Sequence, residues 1–310
     1  MKFVLWQEQW LEIYQKPLIK YHTYRMYKDL LKQHILNYFK EDEIENINTQ
    51  KIQLFLHEKS LNGNLITHKP LSASTINLLR SILNNIFQTA CNFNLLDINP
   101  CSRIKRFTYR EKEIQVFSKK QQKILEDYCK NNQDIRLFGI VFALYTGLRI
   151  GELLALKWED IDLKKKIIYV KKTVLKIKTE EGKWVSYIDS AKTKSSIRVI
   201  PIAKNLYTLL LQHRKKNFGK WLICDKNNQA VNNRTYQKLF QTVLIKLQMP
   251  LLSFHSLRHT FATRAIENGI DVKTVSELMG HQNTSITLNR YTHSLFETKK
   301  KAVNLLAKNL

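Results

Sequence analysis

Apolar residues recur at intervals of three and four along most of this 310-residue chain, a period that packed helices satisfy and strands do not. Tyr24, Tyr27, Leu30, Leu31, His34 and Ile35 form one stripe; Ile76, Leu79, Ile82, Leu83, Ile86, Phe87 and Ala90 form another. With only 8 glycines and 5 prolines the sequence is too poor in turn formers for an all-β design. Residues Leu61 to Ser74 have no period, contain Gly63 and Pro70, and end in Ser and Thr residues suited to cap a helix beginning near Thr75. Asn99-Pro100 halts the pattern, because the proline ring disfavours helical backbone at the residue before it. The chain therefore divides into a helical domain over 1–102, a polar, basic linker over 103–116 and a second domain over 117–310.

In that second domain a fresh helix starts at Ser118, and Ile135 to Tyr145 is apolar on nearly every side, so it must lie in a core closed by Thr146-Gly147. Between Lys164 and Pro201 the period changes. Short β-branched runs at Ile167–Val170, Val174–Ile177 and Ile197–Ile200 predict a small antiparallel sheet. Helical signals return at Asn205–Arg214, Arg234–Leu247, Ser253–Asn268 and Val272–Met279, and after Ser294. The expected fold class is mainly α with a small antiparallel β-sheet.

Fifty-one basic against 26 acidic residues give a net charge of +25, of which +6 falls in residues 1–112 and +19 in 113–310. Thirty-eight of the 51 are lysine, and with abundant Asn and Ile that is also what an AT-rich coding sequence yields. The uneven distribution still points to a polyanionic partner, nucleic acid before anionic membrane. Cys91, Cys101, Cys129 and Cys224 lie far apart with no Cys-x-x-Cys pair, so reduced intracellular thiols are expected. The first residues carry Glu8 and Glu12 within their apolar stretch and do not read as a signal peptide. The longest apolar run, Leu137 to Leu148, falls short of the ~20 residues that span a bilayer. A cytoplasmic protein without a membrane partner is expected.

Four islands of the second domain put polar residues where a plain core would not: Thr146-Gly147-Leu148-Arg149-Ile150-Gly151-Glu152; Lys192-Thr193-Lys194-Ser195-Ser196, read as a hairpin tip ahead of a strand; His255-Ser256-Leu257-Arg258-His259; and Gly280-His281 followed by Tyr291. His255 and His259 stand at i and i+4 and share a helix face, but no carboxylate completes a metal-ligand pattern, so no metal is assigned and His259 reads as a hydrogen-bonded core histidine. No Gly-x-x-x-x-Gly-Lys-Ser/Thr loop is present, and no cofactor is expected.

In their order and spacing the four islands resemble the tyrosine recombinase, or phage integrase, family, and the helical first domain is similar to its SAM-like core-binding domain. The resemblance implies a catalytic set of Arg149, Lys192, His255, Arg258, His281 and Tyr291, with Glu152 and His259 supporting it. Two arginines suit the task, because a guanidinium is permanently charged and donates two parallel hydrogen bonds to phosphate oxygens. At three-residue spacing, His255 and Arg258 would project toward the same phosphate. Tyr291 would be the nucleophile, with His255 as base and His281 as a further donor. Its phenol, with a pKa of ~10, needs a cationic surround or a base. The 5′ oxygen that leaves needs an acid, which the resemblance gives as Lys192, with Lys194 competing. Glu152 would orient an arginine, or else face solvent as an ordinary helix acid.

The resemblance further implies a clamp around double-stranded DNA, with Arg103, Lys105, Arg106, Arg110 and Lys194 on the phosphate backbone, and a homo-oligomer, a tetramer on two DNA sites. The segment after Tyr291 would dock on a neighbouring protomer or on its own domain. A directionality factor and a nucleoid-associated location belong to the same expectation, whereas an arm-binding domain ahead of the core-binding helices is not expected. A type IB topoisomerase shares the chemistry, a silent DNA-binding regulator would share the fold, and a DDE-type transposase would need carboxylate clusters that the islands lack.

Overall fold

The computed structural model describes residues 1–108, 114–178, 184–190 and 197–290, together with 303, 304 and 307. The chain separates into two units, Met1–Lys112 and Glu113–Leu310. The first is built from helices: α1 (Phe3–Gln9), α2 (Tyr21–Leu30), α3 (Leu36–Phe39), α4 (Thr49–Asn62) and α5 (Ala73–Asn92). A π-helical turn at Trp10–Gln15 prolongs α1, and another at Leu31–Ile35 joins α2 to α3. The second apolar stripe read from the sequence, Ile76 to Ala90, is buried along its whole length against Phe3, Trp6, Phe39 and Phe55. Ser72 caps α5 by accepting from the Thr75 amide at 3.2 Å, so the helix starts two residues before the predicted position.

The first part of the segment read as the basic linker is held to α5 as far as Phe107. The Asn77 amide exchanges two hydrogen bonds with the Phe107 main chain, at 2.8 and 2.9 Å, and Arg80 Nε donates to the Ile104 carbonyl at 2.8 Å. Ile104 is buried and Phe107 half-buried, while Arg103, Lys105 and Arg106 are exposed. Two apolar side chains among the basic ones give this stretch one side to bury, which its polar composition conceals.

In the second unit, α6 (Lys119–Lys130) begins in a reciprocal cap between Ser118 and Gln121, as the fresh helical start predicts. A 3₁₀ turn at Ile135–Leu137 leads into α7 (Phe138–Thr146), which is followed closely by α8 (Ile150–Ala155). The strands come next: β1 (Ile161–Asp162), β2 (Ile167–Val170), β3 (Lys172–Lys178), β4 (Trp184–Ser190) and β5 (Arg198–Pro201). They form two antiparallel sheets, a three-stranded one ordered β1-β2-β5 and a separate two-stranded one of β3 and β4. Only Lys171 lies between β2 and β3, and there the chain passes from one ladder to the other. Residues Lys192 to Ser196 lie outside the described residues. The hairpin-tip reading of that stretch falls there too; the described strands on either side, β4 and β5, pair with β3 and β2 respectively. Local β-branched runs disclose strands but not their partners.

Helices α9 (Lys204–Lys216), α10 (Asn233–Lys246), α11 (His255–Glu267), α12 (Val272–Met279) and α13 (Thr284–Arg290) complete the unit. Its core surrounds α7, whose Ile140, Val141, Phe142 and Ala143 are buried with Phe240 and Leu257. Among the described residues no helix is long and apolar enough to cross a membrane.

The turn from α7 to α8 depends on Gly147, which ends α7 in the left-handed region at φ 64°. A Cβ there would lie 2.5 Å from Cδ1 of Phe261. Gly147→Ala therefore combines left-handed strain with overpacking and should cost about 2–4 kcal/mol. A lower urea midpoint at unchanged slope would register that loss; an unaltered midpoint would contradict it.

Candidate active site

The centre is assembled on the C-terminal end of α12. A helix leaves its last four carbonyls without intrahelical donors, and here all four find partners. Gly280, left-handed at φ 64°, lets the chain double back so that its own amide reaches the Glu277 carbonyl and the His281 amide reaches the Ser276 carbonyl, both at 3.0 Å. The remaining two carbonyls bind arginines. Arg198 Nε donates to Leu278 O at 2.7 Å, and Arg258 Nη2 donates to Met279 O at 2.6 Å. Arg149 reaches the same turn, with Nη1 at 3.5 Å from Met279 O and Nη2 at 3.2 Å from Gly280 O. The negative end of a helix dipole favours such cations.

Each arginine comes from a different element. Arg149 precedes α8, Arg198 opens β5 and Arg258 lies on α11, from where its Nη1 also donates to Gly147 O at 2.7 Å. Glu152 joins two of them. Its Oε1 accepts from Arg149 Nη1 at 2.8 Å and Arg198 Nη1 at 3.1 Å; its Oε2 accepts from Arg198 Nη2 and the Arg149 amide, both at 2.9 Å. Burial alone would raise this carboxyl. The hydrogen bonds and charge of Arg198, with the charge and amide of Arg149, outweigh burial and hold it at about 2. Glu152 is 5 % exposed, and its oxygens face two arginines rather than solvent. Three guanidiniums and one carboxylate leave the cluster at +2.

The histidines sit at different depths around this centre. His281 follows the α12 cap directly, and its Nδ1 lies 2.7 Å from Thr287 Oγ1 on α13, whose residue is fully buried. His255 is exposed at the start of α11, and the His259 ring meets it edge to face with centroids 4.6 Å apart. His259 is only half-buried, which corrects the core-histidine expectation: one turn into α11 its position still borders the surface. His255 and Arg258 share a side of α11, but Arg258 is 1 % exposed and engages main-chain carbonyls, whereas the Arg149 side chain is 39 % exposed. Arg149 is thus the more accessible of the two arginines read from the sequence. Among the described residues no three His, Cys, Asp or Glu side chains stand together as metal ligands.

Lys192, Lys194, Tyr291 and Arg110 lie outside the described residues. Sequence reasoning missed Arg198 and Thr287. Arg198 sits in the run Ile197–Ile200 as one polar residue among strand formers, and Thr287 carries no motif signal.

Residues 115–298 match the Phage integrase family and residues 2–60 its N-terminal SAM-like domain. The chain belongs to the tyrosine recombinase family. It is 32% identical to a XerC-like tyrosine recombinase of Caldanaerobacter subterraneus over 298 residues, 88% of this chain and 75% of the relative. It is 26% identical to the ICEBs1 integrase of Bacillus subtilis, over 94% of this chain and 77% of that protein. Among solved structures, the Tn1549 transposon integrase in complex with transposon right end DNA superposes with a TM-score of 0.82 at 23% identity, covering 99% of this chain and 100% of that one. A lambda integrase tetramer bound to a Holliday junction superposes with a TM-score of 0.69 at 20% identity, over 92% and 78% of the two chains.

Proposed function

We propose that this chain is a site-specific DNA recombinase that cuts and rejoins duplex DNA through a 3′-phosphotyrosyl intermediate, integrating or excising a mobile element. The observation that carries this reading is the +2 cluster of Arg149, Arg198, Arg258 and Glu152 on the end of α12, one residue before His281. A phosphodiester has one negative charge and gains a second as a nucleophile adds, so fixed guanidiniums stabilise the transition state more than the ground state. That electrostatic role needs neither a metal ion nor ATP.

In this reading Arg149 and Arg258 bind the non-bridging oxygens, and His281 adds a donor there. An imidazole that takes the Thr287 hydroxyl proton on Nδ1 carries its own proton on Nε2. Tyr291 attacks phosphorus, its phenolic proton passes to His255, and the P–O5′ bond breaks. The electron pair stays on O5′, which takes a proton from Lys192 or Lys194. The phosphotyrosyl ester conserves the bond, so a second 5′ hydroxyl can reverse the steps on a new strand. Arg103, Lys105 and Arg106, exposed beside Ile104, suit phosphate contacts that set register rather than sequence. Arg110 and Lys194 would join them, and His259 would support His255. Residues 1–102 would bind the core site and 117–310 would carry catalysis. The working form would be a tetramer on two DNA sites, with a directionality factor choosing between integration and excision.

The decisive experiment is covalent capture. The protein is incubated with nicked duplexes of randomised core sequence, from which the broken strand's 5′ end diffuses away after cleavage. An SDS-resistant protein–DNA adduct, unaffected by EDTA, is expected, and its DNA identifies the cognate site. Binding without any adduct would favour a silent regulator. An adduct formed only with a divalent ion would overturn the guanidinium account.

A further inference from the structure

His281 is held by its main chain and by its ring. Its amide closes the cap of α12 on the Ser276 carbonyl at 3.0 Å, and its Nδ1 lies 2.7 Å from Thr287 Oγ1 on α13. That threonine is fully buried, although Thr284, Ser285 and Leu288 of the same short helix are exposed. A hydroxyl has one proton to donate, and in a position closed to water the proton needs an acceptor. Among the described residues the imidazole nitrogen is the only hydrogen-bond partner of Thr287 Oγ1. If Nδ1 carried a hydrogen, the hydroxyl would have to accept it and turn its own proton toward no acceptor, which is costly for a buried polar group. The reverse arrangement satisfies both atoms. The hydroxyl donates, Nδ1 accepts, and the ring hydrogen sits on Nε2 at the opposite edge.

We propose that Thr287 is a positioning residue: it fixes His281 in the Nε2–H tautomer and turns that N–H away from α13, ready to donate. The proposal rests on the reading of His281 as a donor to a non-bridging phosphate oxygen. In that role the ring gives a hydrogen bond and transfers no proton. The other tautomer would set a lone pair against an oxygen that gains negative charge as the nucleophile adds. Thr287 acts only through the ring. Serine should serve as well, because the hydroxyl is what matters, whereas valine has the shape of threonine without it.

The test reads the ring directly. The full-length protein, with its nine histidines labelled with nitrogen-15, is observed by long-range proton–nitrogen correlation at about pH 8, above the ordinary histidine range. The signals lost in His281→Gln identify the residue. In wild type Nδ1 should resonate as an unprotonated acceptor and Nε2 as a protonated nitrogen. Thr287→Ser should keep that pattern, and Thr287→Val should move the Nδ1 signal as the bond is lost and the two tautomers exchange. A protonated Nδ1 in wild type, or an Nδ1 signal unmoved in Thr287→Val, would overturn the proposal. The wild-type spectrum decides the place of the proton even if Thr287→Val does not fold, and Thr287→Ala then takes its place. The consequence for chemistry is read as single-turnover cleavage of the duplex captured by wild type. Thr287→Val should cleave about 10-fold more slowly, with a Kd for DNA within about twofold of wild type, and Thr287→Ser should recover to within about threefold. Equal losses in Thr287→Val and Thr287→Ser would mean packing alone and overturn the positioning role. Wild-type cleavage by Thr287→Val with its Nδ1 signal moved would refute the reading of His281 as donor while the tautomer assignment stands.

Discussion

Tyr291→Phe should abolish the covalent adduct outright, lowering strand cleavage by at least about 10⁴-fold, as removal of a nucleophile does. The same variant should bind the captured duplex with a Kd within about twofold of wild type, because phosphate contacts rather than one hydroxyl set the affinity. The two measurements together separate chemistry from recognition. A persistent adduct in the variant would move the nucleophile elsewhere. An equal loss of binding would mean that Tyr291 holds DNA rather than attacks it.

The second large effect is expected at Glu152. Glu152→Ala leaves Arg198 buried with its neighbour Arg149 and without a counter-charge, and breaking a buried pair in this way costs about 3–5 kcal/mol. The acid side of the stability profile should report the same carboxylate. Its pKa falls from 4.5 to about 2 on folding, so its contribution, about 3 kcal/mol, is complete above about pH 4.5 and disappears as pH drops through about 2. Denaturant unfolding of wild type and Glu152→Ala should therefore differ by a constant amount from pH 7 to pH 5. The curves should converge in stronger acid. A gap that widened on acidification would contradict the assignment, and an unchanged midpoint at neutral pH would mean that the pair is dispensable.

The sequence disclosed Arg149 and Arg258 more readily than the framework that holds them. Arg149 stood out because two glycines bracket it, and Arg258 because two histidines surround it. Arg198 stood in a strand run, where an alternating polar residue normally means a solvent face. What buries it is Glu152, 46 positions earlier, and a carbonyl 80 positions later. Neither is a local property. The same limit applied to the strands: Ile167–Val170 and Ile197–Ile200 read as β, but their pairing across two intervening strands could not be inferred from composition. Helices were more legible because their period is internal, as the buried stripe of α5 illustrates. The packing of residues 103–107 was not legible because charged residues dominate the stretch numerically, although Ile104 and Phe107 pack on the core of the first unit.

Much is concentrated on one helix end. Three cations and the amide of a histidine are held by four carbonyls of one turn, Ser276, Leu278, Met279 and Gly280, and helix ends are the part of a fold that opens most easily. Loosening of that single turn would take a main-chain partner from all three arginines at once, leaving Arg149 and Arg198 tied through Glu152 and Arg258 to the Gly147 carbonyl. The geometry of the three guanidiniums is thus coupled to the folding of one short helix end.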